Sequence, residues 1–294
     1  RPSIYWTDKR NHKEADYLFE NHYDLIMDTT YNAPTTLWTL PQLMWLREHE
    51  PDNFDRIARI MFVKDYVRSR LTGDFVTDSI DAIGSMLMDI KNRCWSEDLC
   101  ALCGITTDML PRIIDPCAIV GRIDEKAAKE TGLSQATAIV AGATDTVMEV
   151  YASGVIHPGQ ATVKLATAGR ICPVTPKPYP HPLLFNYPHI IPGMWYPGTA
   201  TKSCAASYRW YRDVLGEHEM ATAKDQGGDA YSLMSDAAAK TPPGSGNLFF
   251  HPYLLGEITP YLDNDLKGSF TGVSAFHTKA HFNRAVLEGV AYSL

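Results

Sequence analysis

The stretch from Thr137 to Ser153 constrains this chain more than any other. Thr137-Ala-Ile-Val-Ala141 is a short apolar run that ends at Gly142, and from Asp145 to Ser153 the apolar residues recur with a helical period. A strand that runs through small residues into a helix opened by an acid is an α/β unit. Small residues at such a turn let a ligand approach the backbone, and the free N–H groups of the helix start favour anions. Asp145 is placed there to accept a proton from a bound hydroxyl. Asp is also a favoured capping residue, so the same position suits a plain helix N-cap.

The residues before this unit read mainly as helices, over Asp8 to Glu20, Leu40 to His49 and Phe54 to Leu71. The last of these carries Ile57, Ile60, Met61, Val63, Tyr66, Val67 and Leu71 before a Thr72-Gly73 stop. Ser96 is positioned to cap Glu97 to Cys103, and Asp124 to cap Glu125 to Thr131. The residues after it alternate strand and helix. Strands are expected at Ala161 to Thr167 and Arg170 to Val174, and prolines at 173, 176, 178, 180 and 182 force a surface connection. Met194 to Thr199, Ser203 to Leu215, Tyr231 to Lys240, Leu248 to Pro252 and Lys279 to Leu294 complete the series. A division near His157-Pro158-Gly159 gives two domains, 1–157 and 158–294. Leu165-Ala-Thr-Ala-Gly169 is a second small-residue turn. Its N–H groups and the Thr167 hydroxyl suit a phosphate, or it is a plain hairpin in which Gly169 supplies an unusual backbone angle.

Composition excludes several classes. With 34 Asp+Glu against 27 Lys+Arg and a net charge of −7, the chain offers no basic surface for nucleic acid or an anionic membrane. It contains no run long and apolar enough to span a bilayer. Six scattered cysteines fit a reducing, cytoplasmic setting better than a disulfide framework. Neither a P-loop nor a G-x-G-x-x-G fingerprint is present. Cys100 and Cys103 form one C-x-x-C without a second ligand pair, and read as free thiols. His277 and His281 lack the acid of a zinc motif and read as surface or capping residues, and Asp78 and Asp81 as turn acids or ligands. Trp6, Trp38 and Trp195 are candidate sugar-stacking faces, with core packing as the default for each. The chain opens on Arg1 without Met and stops inside an apolar helical pattern, so it is expected to be part of a longer protein.

In combination these segments resemble the FGGY family of carbohydrate kinases. Gly268-Ser-Phe-Thr-Gly-Val-Ser-Ala-Phe-His-Thr-Lys-Ala-His-Phe-Asn-Arg-Ala-Val-Leu-Glu288 resembles the second family signature along its length. Arg1-Pro-Ser-Ile-Tyr-Trp-Thr-Asp-Lys-Arg10, the run from Lys64-Asp-Tyr to Thr77-Asp78, Asn92-Arg-Cys-Trp-Ser96 and Pro252-Tyr-Leu-Leu-Gly-Glu-Ile-Thr-Pro260 are similar to further family segments in the right order. Tyr187-Pro-His-Ile-Ile-Pro-Gly-Met-Trp-Tyr196 resembles a strand of xylulokinase-like members.

The resemblance implies an α/β, actin/hexokinase-like (ribonuclease H-like) two-domain sugar kinase using ATP and Mg²⁺ on a ketopentose such as xylulose. Asp145 matches the family's catalytic base. Asp8, Trp38, Asp145 and Thr146 fall on the sugar side, and Thr167, Gly169, Gly268 and Gly272 beside the nucleotide. No residue of this chain is assigned as a metal ligand, and a homodimer is among the assemblies the family allows. The family's N-terminal phosphate hairpin and C-terminal adenine-binding segment are expected to lie outside these residues, leaving the segment alone inactive. Departures from the pattern fall at Gln42, Thr146, Ala166 and Ile258. They keep a second reading open, a non-catalytic sugar-binding homologue, alongside kinases for another polyol, gluconate or an autoinducer-type substrate. A glycoside hydrolase using Asp145 with Glu149 is a weaker third, because two acids on one helix face rarely flank a substrate bond.

Overall fold

The computed structural model describes residues 4–5, 8–263 and 265–294. The chain divides into two compact units, one of residues 1–160 and 174–197, the other of 161–173 and 198–294. Set beside a single division at 157/158, the structure returns 174–197 to the first unit. Two buried asparagines fasten that return. The Asn186 N–H donates to Asn32 Oδ1 at 2.8 Å, and Asn32 Nδ2 donates to the Asn186 carbonyl at 3.0 Å.

In the first unit, helices His12–Asn21, Tyr23–Thr30, Thr39–His49 and Glu97–Cys103 bury Leu18, Ile26, Leu40, Leu43, Leu99 and Cys103 in one core. The periodic stretch from Phe54 to Leu71 does not form one helix. A single turn ends at Phe54, and the helix proper is Val63–Thr72. Ile57 and Ile60 still pack on the core, but the Ile60 N–H donates to the Met109 carbonyl at 2.9 Å, so an apolar period is met by irregular backbone. Val76–Asp78 pairs in parallel with Arg112–Ile114, and Ile119–Arg122 antiparallel with Ala138–Val140, which feeds helix Asp145–Ala152. Ser96 and Asp124 cap their helices through the N–H groups of Leu99 and Ala127.

In the second unit, hairpin Ala161–Leu165/Gly169–Pro173 is joined by helices Ala205–Leu215, Glu217–Gln226, Ala230–Ala239 and Lys279–Tyr292. The last helix packs on the antiparallel pair Phe249–His251/Ser269–Thr271, closing a core of Tyr211, Met234, Leu248, Phe250, Ala285 and Val286. Helix Glu217–Gln226 has no counterpart in the sequence reading. It buries only Ala223, so it has no apolar stripe to reveal it. Among the described residues no helix is long and apolar enough to cross a membrane.

Candidate active site

The turn after strand Ala138–Val140 is gripped from two sides. Behind it, the Ala141 and Gly142 N–H groups donate to the carbonyls of Ala118 (2.9 Å) and Pro116 (3.0 Å). In front, the Ala141 carbonyl accepts from Arg68 Nη1 at 2.7 Å and Lys64 Nζ at 3.3 Å. Gly142 sits at φ +81°, a left-handed conformation that glycine adopts without strain. Thr144, and not Asp145, is the N-cap, its hydroxyl accepting from the Val147 N–H at 3.5 Å. Val147 and Val150 bury the inner face of the helix.

Asp145 is therefore the first helical residue, exposed and relieved of capping. Its Oδ1 accepts from the Thr146 N–H at 2.7 Å and from the Thr146 hydroxyl at 3.4 Å, and no donor among the described residues reaches Oδ2. The helix start favours its negative charge and points it outward. Chemically, the arrangement offers an acceptor for a hydroxyl proton on a backbone held on both sides.

A charged network contributed by other elements holds the turn. Lys64, Asp65 and Arg68 come from helix Val63–Thr72, Asp78 ends strand Val76–Asp78 and Asp81 opens the helical turn after it. Lys64 Nζ reaches Asp78 Oδ2 at 2.6 Å, Asp65 Oδ1 at 2.9 Å and Asp81 Oδ2 at 3.1 Å. Arg68 pairs with Asp65 at 2.9 Å and also donates to the Val76 carbonyl. Burial, and then the charge of Asp78, push the Asp81 carboxyl up to about 6. Burial opposes the charge on Lys64, but Asp81 and Asp78 outweigh it and hold its ammonium above the usual range. In the sequence this network shows only as the i, i+1, i+4 spacing of Lys64, Asp65 and Arg68 and as Asp78 and Asp81, read there as turn acids or ligands.

The remaining expected sugar-side residues are engaged elsewhere in the first unit. Both carboxylate oxygens of Asp8 receive Arg10, at 2.7–3.0 Å. Trp38 is 3% exposed, its indole N–H on the Ala33 carbonyl at 2.8 Å and its ring packed near Phe185 and Tyr187. Trp195 is half-buried beside Tyr31, and Trp6 lies outside the described residues.

The second unit brings Thr167 and Gly169 together in one hairpin turn. The Ala166 carbonyl accepts from the Ala205 N–H (2.9 Å), and the Thr167 carbonyl from those of Cys204 (2.9 Å) and Ala206 (3.4 Å). The turn thus caps helix Ala205–Leu215. Gly169 is not in a left-handed conformation, contrary to the plain-hairpin expectation. Glycine is required there for space, since a Cβ would lie 2.6 Å from Leu294 Cδ2 and 3.0 Å from Thr201 Oγ1. Arg209 Nη2 donates to the exposed Thr167 hydroxyl at 3.3 Å. Gly268 and Gly272 bracket strand Ser269–Thr271. A Cβ on Gly268 would meet Leu254 at 2.6 Å, and one on Gly272, at φ +90°, would collide with the Asn247 carbonyl. Glu257 is buried beside the departure at Ile258, its Oε1 accepting from the N–H groups of Ile258 (2.7 Å) and Lys202 (2.9 Å).

The lesser motifs resolve simply. Cys100 and Cys103 are buried free thiols, and burial pushes them up to about 11 and about 12. His281 completes a capping box with Thr278, and His277 Nδ1 accepts from the Ser274 N–H at 2.9 Å.

Comparison with known proteins agrees with these segments. The model of the FGGY family of carbohydrate kinases, N-terminal domain, matches residues 1–151, and that of the C-terminal domain matches 125–294. The chain is 32% identical over 295 residues to the xylulose kinase of Lactococcus lactis subsp. lactis, covering 100% of this chain and 57% of that protein. It is also 32% identical over 295 residues to the gluconokinase of Bacillus licheniformis, covering 99% and 57%. The solved xylulose kinase from Rhodospirillum rubrum superposes with a TM-score of 0.90 at 30% identity, over 99% of this chain and 58% of that one. The chain thus spans a little over half the length of the relatives it matches, and shares their actin/hexokinase-like α/β fold.

Proposed function

The chain belongs to the FGGY family of carbohydrate kinases, and from that premise we propose that the whole protein transfers the γ-phosphoryl group of ATP to a sugar hydroxyl, xylulose foremost, with Asp145 as general base. The observation that carries this reading is the division of labour at the helix start. Thr144 caps, so the Asp145 carboxylate stands exposed with Oδ2 open to a substrate hydroxyl.

In the reaction the sugar oxygen attacks the γ-phosphorus as the bond to the ADP oxygen breaks, and Asp145 takes the hydroxyl proton as that attack completes. ATP enters as its Mg²⁺ complex. Thr146 holds Asp145 Oδ1, leaving the other oxygen for the substrate. Asp8 and Trp38 belong to this reading as supports of the sugar side, and Thr167, Gly169, Gly268 and Gly272 as close-packed backbone on the nucleotide side. The xylulose kinases among the relatives support a ketopentose, and the gluconokinase keeps gluconate as the competing substrate.

The test is ADP release by the full-length protein against xylulose, gluconate and glycerol. Asp145→Asn is expected to abolish turnover with the fold intact, and retention of more than a few per cent of activity sinks the assignment. Sugar-dependent thermal stabilisation without ADP release favours the non-catalytic binder.

A further inference from the structure

Among the described residues, two places in the first unit gather three metal-capable side chains each, and only one of them carries its own cation. Ligand atoms of Asp65, Asp78 and Asp81 lie within 4.8 Å of one another. Lys64 Nζ touches all three at 2.6–3.1 Å, so an ammonium fills that space. Glu14, Glu48 and His49 converge within the same 4.8 Å. They come from helices His12–Asn21 and Thr39–His49, which pack on each other.

The second cluster has a buried oxygen that nothing answers. Glu14 is 6% exposed, and its Oε2 is buried with no hydrogen-bond partner. Among the described residues no Lys or Arg pairs with Glu14 or Glu48. The start of its own helix offsets a buried carboxylate only in part. Buried polar groups left without a partner are rare enough to require an explanation.

His49 supplies an independent pointer. Its Nδ1 lies 3.1 Å from the Trp45 carbonyl, which can only accept, so Nδ1 is the donor there and Nε2 is the nitrogen left to face a ligand. A metal-ligating imidazole is oriented in just this way, with its other nitrogen donating to a backbone carbonyl. The ring also lies flat on Trp45, 4.7 Å between centroids at 7°, which fixes its direction.

We propose that Glu14, Glu48 and His49 bind a divalent cation of borderline softness, Zn²⁺ foremost, with water completing the shell. One imidazole nitrogen and two carboxylate oxygens suit zinc, whereas Mg²⁺ and Ca²⁺ seek sets made of oxygen alone. The ion neutralises Glu14 and ties the two helices together. None of the three residues belongs to the network around Asp145, so this site stands or falls apart from the kinase reading.

The test is calorimetric titration of the full-length protein with Zn²⁺, in a background where the exposed thiols are removed by Cys94→Ser and Cys117→Ser. One equivalent is expected, weakened at least about tenfold by each of Glu14→Gln, Glu48→Gln and His49→Ala, and insensitive to excess Mg²⁺. Co²⁺ in its place is expected to give a nitrogen/oxygen spectrum without a thiolate band. Glu48 and His49 are exposed, so their variants fold whatever Glu14 does. Absence of stoichiometric binding, affinity unchanged in His49→Ala and Glu48→Gln, or ready displacement by Mg²⁺ overturns the proposal.

Discussion

At 141–145 the chain leaves a strand, caps the next helix with Thr144 and leaves Asp145 pointing out. At 165–169 it folds back as a hairpin, and its own carbonyls at Ala166 and Thr167 take up the first N–H groups of a helix much further along. Both turns are built of small residues around a threonine and a glycine. They differ in who satisfies the nearby helix start. In the first, a neighbouring hydroxyl does so and the acid beside it is left exposed. In the second, the turn's backbone does so, and the Thr167 hydroxyl is left exposed. Small residues at a turn report that something approaches closely, and only the partners reveal whether it is a ligand or a helix.

The comparison can be broken most sharply at Asp145. Asp145→Asn is expected to cut turnover by at least about 10²-fold while shifting stability by under about 0.5 kcal/mol, as steady-state kinetics and thermal melts would report. Next in size is Lys64→Met, which strands buried carboxylates behind the first turn. Denaturant unfolding should register a loss of about 3 kcal/mol, and a loss below about 1 kcal/mol would mean the network is ornamental to the fold. The two glycines then separate angle from space. Gly169→Ala forces a methyl against Thr201 and Cys204 and should cost about 2 kcal/mol. Gly142→Ala meets only the Lys64 stem, at 3.5 Å, and pays through its φ of +81°, for about 1 kcal/mol. Rescue of Gly142 by Asn, which tolerates the left-handed region, but not of Gly169, would sharpen the contrast.

A separate test is of pH dependence. The folded-state Asp81 carboxyl, at about 6, lies above its ordinary 3.8. Between those values the folded protein holds more protons than the unfolded chain, so stability falls as pH rises through that window. Asp81→Asn should flatten that slope in melts recorded from pH 4 to 7. An unchanged slope would assign it to other groups.

Much of the scaffold was legible because its signals are local. Ser96, Asp124, the strand into Gly142 and the hairpin at 161–173 all depend on neighbours within a few residues. The stretch 54–71 misled because an apolar period records burial and not backbone hydrogen bonding. Ile57 and Ile60 are packed while the chain there bonds to Met109. Asp145 stands out in the sequence as the acid that opens the helix, but Thr144 as the residue that caps it does not, since both residue types cap helices. Lys64 and Glu14 were beyond reach for a different reason. Each is defined by groups on another element, and nothing in single-sequence spacing brings Lys64 to Ala141 or Glu14 to His49.

The return of 174–197 to the first unit has a consequence for the order in which the protein is made. Synthesis runs from the N-terminus, and domains tend to fold as they emerge. Here the hairpin at 161–173, which belongs to the second unit, is translated before Phe185, Asn186 and Tyr187 arrive to complete the first. Until they do, Asn32 lacks its buried partner and Trp38 its aromatic neighbours. The first unit therefore cannot finish folding while the ribosome is still inside it, and must wait with part of the second already outside.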